Sequence, residues 1–322
     1  MDYILYVLAR AAVAMVQALP LTAVARLGRA GGALAYVFDA RHRRVALSNL
    51  AMCFAHQKSV TELRKLAREN FKRIGENFAC AIKTASMSAE ALRPHVEFVP
   101  PPAISSPPGG AGSPNLVFAI GHFGNFELYA RFSDFVPGYQ CVTTYRGLRQ
   151  PLLNQLLQSL RERSGCRFFE RRFEADALKA TMNQTGILLG LLADQHAGQS
   201  GLRLPFLGHD CSTSAAPAIF ALRYHCSLYT GVCFRVGLAR WRVEASDQIP
   251  TLQNGRPRPT SDIMRDINLA FEAAVRRDPA NWFWVHNRWK QSGVKVSQPG
   301  LRPQEAEVPN SRPDRESPVT GF

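Results

Sequence analysis

His122 and Glu127 are the two side chains whose types and spacing best fit a catalytic pair. They follow a short apolar run, Leu116–Ile120, and four residues separate them. An imidazole can take a proton from a hydroxyl near neutral pH when a carboxylate holds its tautomer and stabilises the imidazolium. The pair therefore indicates general-base chemistry on an alcohol, although a His and a Glu at this spacing also occur by chance in many chains.

The surrounding pattern predicts the elements that would position this pair. Leu116–Ile120 is typical of a buried strand, Gly121 and Gly124 let the backbone turn tightly, and Glu127 falls just inside a helix. In open α/β sheets ligands bind at the carboxyl ends of strands. The start of the next helix supplies free N–H groups for a phosphate or a developing oxyanion.

Strands and helices alternate along the rest of the chain. Apolar runs predict strands at 187–192 and 228–234, and helical periodicity is found at 59–92, 147–163, 214–224 and 260–277. Ser59 and Glu62 have the spacing of a capping box. This order predicts an α/β fold with a largely parallel or mixed sheet. A loop is expected at Pro100–Pro114, and the Pro-rich tail 297–322 is expected to be disordered.

The N-terminal residues 1–27 are apolar, with Arg10 and Pro20 as interruptions. They fit either a membrane anchor or a buried helix of the domain, because the run before Pro20 is shorter than the about 20 residues of a full span. We favour the anchor, since basic residues follow closely and basic flanks mark the cytosolic side of a membrane segment. These residues are Arg26, Arg29, Arg41, Arg43 and Arg44.

The composition excludes several classes of protein. With 322 residues, 46% apolar and 20% charged, the chain is neither disordered, collagen-like nor a multi-span transporter. Its 39 Lys and Arg exceed its 25 Asp and Glu, which gives +14. Such a charge favours anionic partners: nucleic acid, acidic lipid, a phosphorylated substrate or an acidic carrier protein. The seven Cys form no Cys-x-x-Cys pair, which indicates a reduced protein without a disulfide framework or zinc site.

Six blocks of sequence, in order, resemble one enzyme family. The segment Gly121-His122-Phe123-Gly124-Asn125-Phe126-Glu127 resembles the His-x-x-x-x-Asp/Glu motif of the glycerolipid acyltransferase superfamily, in the form found in the lipid A biosynthesis (late) acyltransferases. The other blocks are Arg43-Arg44 with Asn49-Leu50, Thr144-Tyr145-Arg146, Ala193-Asp194-Gln195-His196, Pro205-Phe206-Leu207-Gly208, and Trp282 to Lys290. Arg161 and Arg163 before Gly165 also resemble that family's Arg-rich helix end.

The resemblance implies a glycerolipid-acyltransferase-like mixed sheet flanked by helices, with an anchor at 1–27 and an acyltransferase domain at 28–296. It implies transfer of a fatty acyl chain from acyl carrier protein to a hydroxyl of a phosphorylated lipid A precursor, at the cytoplasmic face of the inner membrane. His122 would be the general base and Glu127 its orienting carboxylate. Relatives with these motifs act on other glycolipids or lipopeptides, so the resemblance implies acyl transfer more directly than it implies lipid A as the acceptor.

The remaining site residues are expected to bind substrate. Arg146, Arg161 and Arg163 would contact the phosphate of the acceptor or of the carrier's phosphopantetheine, since Arg suits bidentate phosphate contact. Asp194 and Gln195 end a strand and face the same crevice, unless they form a turn or helix cap. Arg288 lies in an alternating segment that is either a ligand contact or a structural strand with an aromatic face.

Other functions fit the sequence less well. No zinc-protease motif, Walker loop or dinucleotide glycine fingerprint is present, so no metal or nucleotide cofactor is implied. A nucleic-acid-binding protein would explain the charge but not the apolar N-terminus. An inactive scaffold would not need His122 and Glu127. An esterase of this fold would need a Gly-x-Ser-x-Gly elbow, which the sequence lacks.

Overall fold

The computed structural model describes residues 2–101, 113–135 and 138–290. Helices dominate the first third. They are α1 Asp2–Ala18, α2 Leu21–Phe38, α3 Ala40–Phe54, α4 Val60–Thr84 and the short α5 Ala89–Leu92. The predicted capping box is confirmed, because the Ser59 hydroxyl accepts the Glu62 N–H and the Glu62 carboxylate accepts the Ser59 N–H.

The rest of the chain alternates between strands and helices. Its strands are β1 Val96–Val99, β2 Leu116–Ile120, β3 Gln140–Tyr145, β4 Arg167–Glu170, β5 Ile187–Leu192, β6 Leu202–Phe206, β7 His209–Thr213, β8 Ser227–Gly237, β9 Arg240–Ala245, β10 Leu252–Gln253 and β11 Arg256–Pro257. Its helices are the 3₁₀ helix Phe126–Asp134, α6 Pro151–Glu162, α7 Ala175–Met182, α8 Ala216–Arg223, α9 Thr260–Arg277 and the 3₁₀ turn Pro279–Asn281.

A seven-stranded mixed sheet forms the centre of the molecule, in the order β1-β9-β8-β2-β5-β3-β4. All pairings are parallel except that of β8 with β9. β2 lies between β5 and β8 and is buried along its whole length, as its unbroken apolar run requires. The expected mixed α/β fold is confirmed, and the carboxyl ends of β2, β5 and β3 lie side by side.

The two faces of β2 contact different layers. Val117 and Ala119 belong to the main core with α3, α4 and α9, whereas Phe118 and Ile120 face the opposite side with the 3₁₀ helix. The second layer does not fill its side completely. It leaves a cavity between the sheet and the helices α4, α6 and the 3₁₀ helix, and this cavity is described below.

The N-terminal segment forms two helices, because Pro20 lacks an N–H and begins α2 rather than continuing α1. α2 packs on α4 with Leu21, Val24 and Ala25 buried. α1 has no buried residue and contacts α4 and α6. In the described part of the chain, none of the helices has both the length and the apolar character to cross a membrane. Membrane association of residues 1–27 stays a prediction.

The structure contradicts the strand predicted after Trp282 and leaves two other predicted segments mostly outside the described residues. The segment from Trp282 onwards is irregular rather than a strand, since bends and turns follow a single bridge of Trp282 to Phe123. The predicted tail at 297–322 lies outside the described residues, and so does most of the predicted loop at Pro100–Pro114.

Candidate active site

His122 stands at the carboxyl end of β2, in a turn that leads into the 3₁₀ helix. Gly124 has φ +51°, and a Cβ at this position would lie 2.5 Å from the carbonyl oxygen of Cys233. Glycine is therefore required there by both its conformation and its close approach to β8. The Gly124 N–H donates to the Asn281 carbonyl at 3.1 Å, so the C-terminal segment also holds the turn.

Asp194 is the hydrogen-bond partner of the His122 ring. Its Oδ1 lies 2.8 Å from His122 Nδ1, and its Oδ2 accepts the His122 backbone N–H at 2.8 Å. The indole Nε1 of Trp282 donates to the same Oδ2 at 2.8 Å. The two residues meet because β2 and β5 are parallel neighbours, with Ile120 opposite Leu192, so that both chains leave the sheet at the same edge.

Three donors and deep burial define the state of this carboxylate. Asp194 is 1% exposed, and burial alone would raise its pKa. The charge and hydrogen bonds of His122, together with the Trp282 indole, nevertheless hold the pKa of Asp194 below its ordinary value. An ionised carboxylate only accepts hydrogen bonds, so the His122 Nδ1 that faces it carries a proton, and in the neutral ring Nε2 is the nitrogen with the lone pair. This is the tautomer that a general base needs.

Glu127 contacts Arg161 rather than the His122 imidazole. Its two carboxylate oxygens accept hydrogen bonds from Arg161 Nη2 at 2.6 Å and Nε at 3.1 Å. The prediction that Glu127 orients His122 is therefore corrected, because Asp194 occupies the Nδ1 position. The 3₁₀ helix carries the Glu127 side chain towards α6, where Arg161 stacks on the Phe168 ring at 4.7 Å.

A cavity of about 670 Å³ opens beside His122. Its floor is one face of the sheet, and its walls come from α4, α6 and the 3₁₀ helix. The floor is mostly apolar. It includes Phe118 and Ile120 of β2, Cys141 and Thr143 of β3, Leu188 and Gly190 of β5, Gly231 of β8, and Val243 and Ala245 of β9. A largely apolar cavity with a histidine in its lining suits a hydrocarbon chain with a reactive group at one end.

The Phe126 and Phe283 rings flank the imidazole. Their centroids lie 4.8 Å and 5.9 Å from that of His122. Since the Asp194 contacts fix the ring from its Nδ1 edge, the aromatic neighbours leave it little freedom to rotate. The ring is thus held in one orientation without any substrate.

The predicted arginines Arg146, Arg161 and Arg163 differ in their relation to the cavity. Arg146 and Arg161 line the cavity, the first exposed at its mouth and the second tied to Glu127. Arg163 is exposed but does not line the cavity. Arg171, which the sequence reasoning missed, lies beside Arg146, because its backbone N–H donates to the Tyr145 carbonyl at 3.1 Å. It also lines the cavity.

Arg288 stabilises the site through hydrogen bonds in the protein interior. It is fully buried and donates to the carbonyl oxygens of Gln195 and Ser212, each at 2.6 Å, and to the Thr213 hydroxyl at 2.8 Å. The prediction that Arg288 contacts substrate does not fit this geometry. Gln195, whose carbonyl Arg288 holds, does line the cavity as predicted.

Trp282 and His286 are the other site neighbours that sequence reasoning did not assign. Both lie in the aromatic-rich block from Trp282 to Lys290. His286 Nε2 accepts the backbone N–H of His196 at 3.1 Å, and burial lowers the pKa of His286 to about 4, so the ring is neutral at pH 7.

Among the described residues, His, Cys, Asp and Glu side chains form no group of three that could hold a metal ion.

A His–Asp pair at the carboxyl ends of two parallel strands, beside a largely apolar cavity, suits an acyl-transferring enzyme. The chain belongs to the bacterial lipid A biosynthesis acyltransferase family, whose model matches residues 1–291. No curated protein gives a significant match.

Proposed function

We propose that the protein transfers a fatty acyl chain from acyl carrier protein to a hydroxyl of a phosphorylated lipid A precursor. The observation that carries the proposal is the His122–Asp194 pair, whose His122 lines the largely apolar cavity. The family supplies the reaction class, and the cavity supplies a site for the acyl chain.

The geometry suggests the proton transfers of the reaction. His122 Nε2 takes the proton of the acceptor hydroxyl as the oxygen attacks the thioester carbonyl. The resulting imidazolium is stabilised by Asp194, which stays ionised. When the tetrahedral intermediate collapses, the C–S bond breaks and the imidazolium returns its proton to the leaving thiolate. The ester product and the free thiol account for every atom, and His122 ends neutral.

The charge of the molecule supports anionic substrates. Arg146 and Arg171 lie at the cavity mouth, and no carboxylate within 4.0 Å of either guanidinium is found among the described residues. Phosphate groups on an acceptor or on a phosphopantetheine arm suit such donors. The net charge of +14 favours an acidic carrier protein and an anionic membrane surface by the same electrostatics.

Purified protein tests the proposed reaction directly. It is incubated with acyl carrier protein loaded with fatty acid, and in parallel with acyl coenzyme A, together with a lipid A precursor in mixed micelles. Mass spectrometry is expected to show one added acyl chain with the carrier-bound donor. Absence of this product with both donors would overturn the proposal, and equal rates with acyl coenzyme A would overturn its donor.

A strain that lacks the protein provides the matching test in cells. Its membrane lipids are expected to lose one acyl chain from lipid A, and restoring the gene should return that chain. Loss of a chain from a different glycolipid would keep the acyl transfer and replace the acceptor.

We also propose that α1 holds the enzyme to the inner membrane at its cytoplasmic face. Its Ile4, Leu8 and Met15 are 65%, 62% and 65% exposed, whereas Tyr6 and Val16 lie on its half-buried face. Apolar side chains on an exposed helix face favour burial at a lipid surface.

Replacing Ile4, Leu8 and Met15 together by Asn tests this role without touching the face that packs on the protein. The variant is expected to leave the membrane fraction when vesicles containing anionic lipid are sedimented. Full retention of the triple variant on the vesicles would contradict the role of α1. Ala11→Asn and Ala12→Asn, which change less apolar surface, serve as the control.

A further inference from the structure

Gly190 occupies the middle of β5 and of the cavity floor. In the sheet it is paired with Phe118 on one side and with Thr143 on the other, and all three line the cavity. His122 lies beyond the carboxyl end of the neighbouring strand β2, whereas Leu188 and Cys141 lie further along the floor in the opposite direction. A chain that starts at His122 and reaches Leu188 must pass the position of Gly190.

Neither backbone conformation nor packing requires glycine at this position. Gly190 is absent from the residues with positive φ. A Cβ placed on it would meet Ile120 Cδ1 at 3.3 Å, the end of a flexible side chain, and the nearest backbone atom, Val142 O, at 4.0 Å. Gly124, in contrast, could not accept a Cβ at all.

Glycine inside a strand nonetheless weakens it, because it loses more entropy on folding and packs no side chain. Such a glycine often marks a bulge, a tight bend, or a site that another backbone or a ligand approaches closely. The pairing of β5 shows no register shift at Gly190, and the nearest backbone atom would lie 4.0 Å from its Cβ, so we favour the ligand. The neighbouring Gly231 is more crowded, since its Cβ would meet Ile120 Cγ2 at 3.1 Å and Phe118 Cδ1 at 3.6 Å. The close contact at Gly190 is thus with the movable end of one side chain, whereas several side chains surround Gly231.

We propose that Gly190 determines the length of the acyl chain that the enzyme accepts, by leaving the floor low enough for the chain to continue past it. The proposal rests on the proposed acyl transfer. A side chain at residue 190 would project into the cavity about two residues, or roughly 7 Å, short of Leu188 along β5. Chains that end before this point would still fit, and longer ones would meet the new side chain.

The test replaces Gly190 by Ala and by Val, both compatible with a strand. Acyl donors that lengthen by two carbons at a time are compared with one acceptor. The measured quantity is the ratio of kcat/KM for the longest accepted donor to that for the shortest. For Gly190→Val this ratio is expected to fall about tenfold or more, in line with what a few methylene groups contribute to discrimination in an apolar pocket. Gly190→Ala should shift it in the same direction by less.

Gly237 provides a matched control. It also lies in a strand without a positive φ, its Cβ would have only ordinary contacts with Arg240 at 3.7 Å, and it does not line the cavity. Gly237→Ala and Gly237→Val should leave the chain-length profile unchanged. An unchanged ratio in both Gly190 variants, with unfolding temperatures like that of the wild type, would overturn the proposal. If the Val variant does not fold, the Ala variant decides.

A binding measurement separates this inference from the reaction itself. Free fatty acids of increasing length are titrated into wild-type and Gly190→Val protein by calorimetry. Tight binding that extends to longer chains in the wild type than in the variant supports the role of Gly190 even if no acyl transfer is detected. Equal binding profiles would count against it even if transfer occurs.

Discussion

Two carboxylates near the cavity differ in almost every respect. Asp194 is 1% exposed, accepts three N–H donors and contacts the imidazole. The Glu127 side chain is 27% exposed and, within the described part of the chain, is hydrogen-bonded only to Arg161. Glu127 is close to His122 in sequence, and Asp194 is 72 positions away. The difference shows that the pairing of strands in the sheet, rather than spacing along the chain, determines which carboxylate contacts His122.

Among these variants, His122→Ala is expected to lose the most activity. Removing the base is expected to lower kcat by about 10²–10⁴-fold, the usual contribution of general-base catalysis. The fold should persist, since the ring is at the cavity surface, and circular dichroism with thermal unfolding checks this. A purified variant with near-normal acyl transfer would show that the reaction does not use this imidazole.

Asp194→Asn should come next. The amide removes the negative charge that stabilises the imidazolium and can donate to Nδ1, which favours the wrong tautomer. We expect kcat to fall by about 10²-fold or more while KM changes little. Loss of activity much smaller than that of Glu127→Gln would reverse the assignment of the two carboxylates.

Glu127→Gln tests the other pair. We expect a smaller loss, at most about 10²-fold in kcat/KM, because the change acts by displacing Arg161 rather than the base. Arg161→Gln and the double variant complete a cycle, in which the two changes should couple by about 0.5–3 kcal/mol. Additive losses would indicate that Glu127 acts independently of Arg161.

His286 gives the smallest expected effect and extends the comparison to a second histidine near Asp194. Burial lowers the pKa of His286 to about 4. The charge of Asp194 acts to raise this pKa, whereas those of His122, Arg288 and His196 lower it further. The unfolded chain binds this proton below about pH 6.5, and the folded chain does not until about pH 4. Stability from this residue is therefore present above pH 6.5 and is lost as the pH falls towards 4.

Denaturant unfolding at pH 7.5 and pH 5 measures this contribution. Wild-type protein should lose more stability between the two conditions than His286→Gln, which has no ring to titrate. Equal losses in the two proteins would mean that His286 does not resist protonation in the fold.

Strong local signals made much of the fold predictable. The apolar runs of β2, β5 and β8 and the helical periodicity of α9 are confirmed with bounds close to those expected. The same signals placed His122 at the end of a strand. They depend on burial and periodicity over a few residues, which a sequence displays directly.

Contacts between distant segments were not predictable in the same way. The pairing of His122 with Asp194 depends on β2 lying next to β5, and sequence order does not reveal that neighbour. Arg288 has the alternating surroundings of an exposed strand, yet tertiary packing buries it completely. Long-range hydrogen bonds therefore decided the roles of the charged residues, whereas local pattern decided the elements that carry them.

The turn around His122 depends on the segment that follows α9. Gly124 donates to Asn281, Phe123 forms a bridge with Trp282, and the Trp282 indole binds Asp194. A nascent polypeptide that has reached α9 already contains the base and its carboxylate, but not the segment that holds them in place. The His122 turn is therefore complete only after the residues around Trp282 have been synthesised and have folded against it.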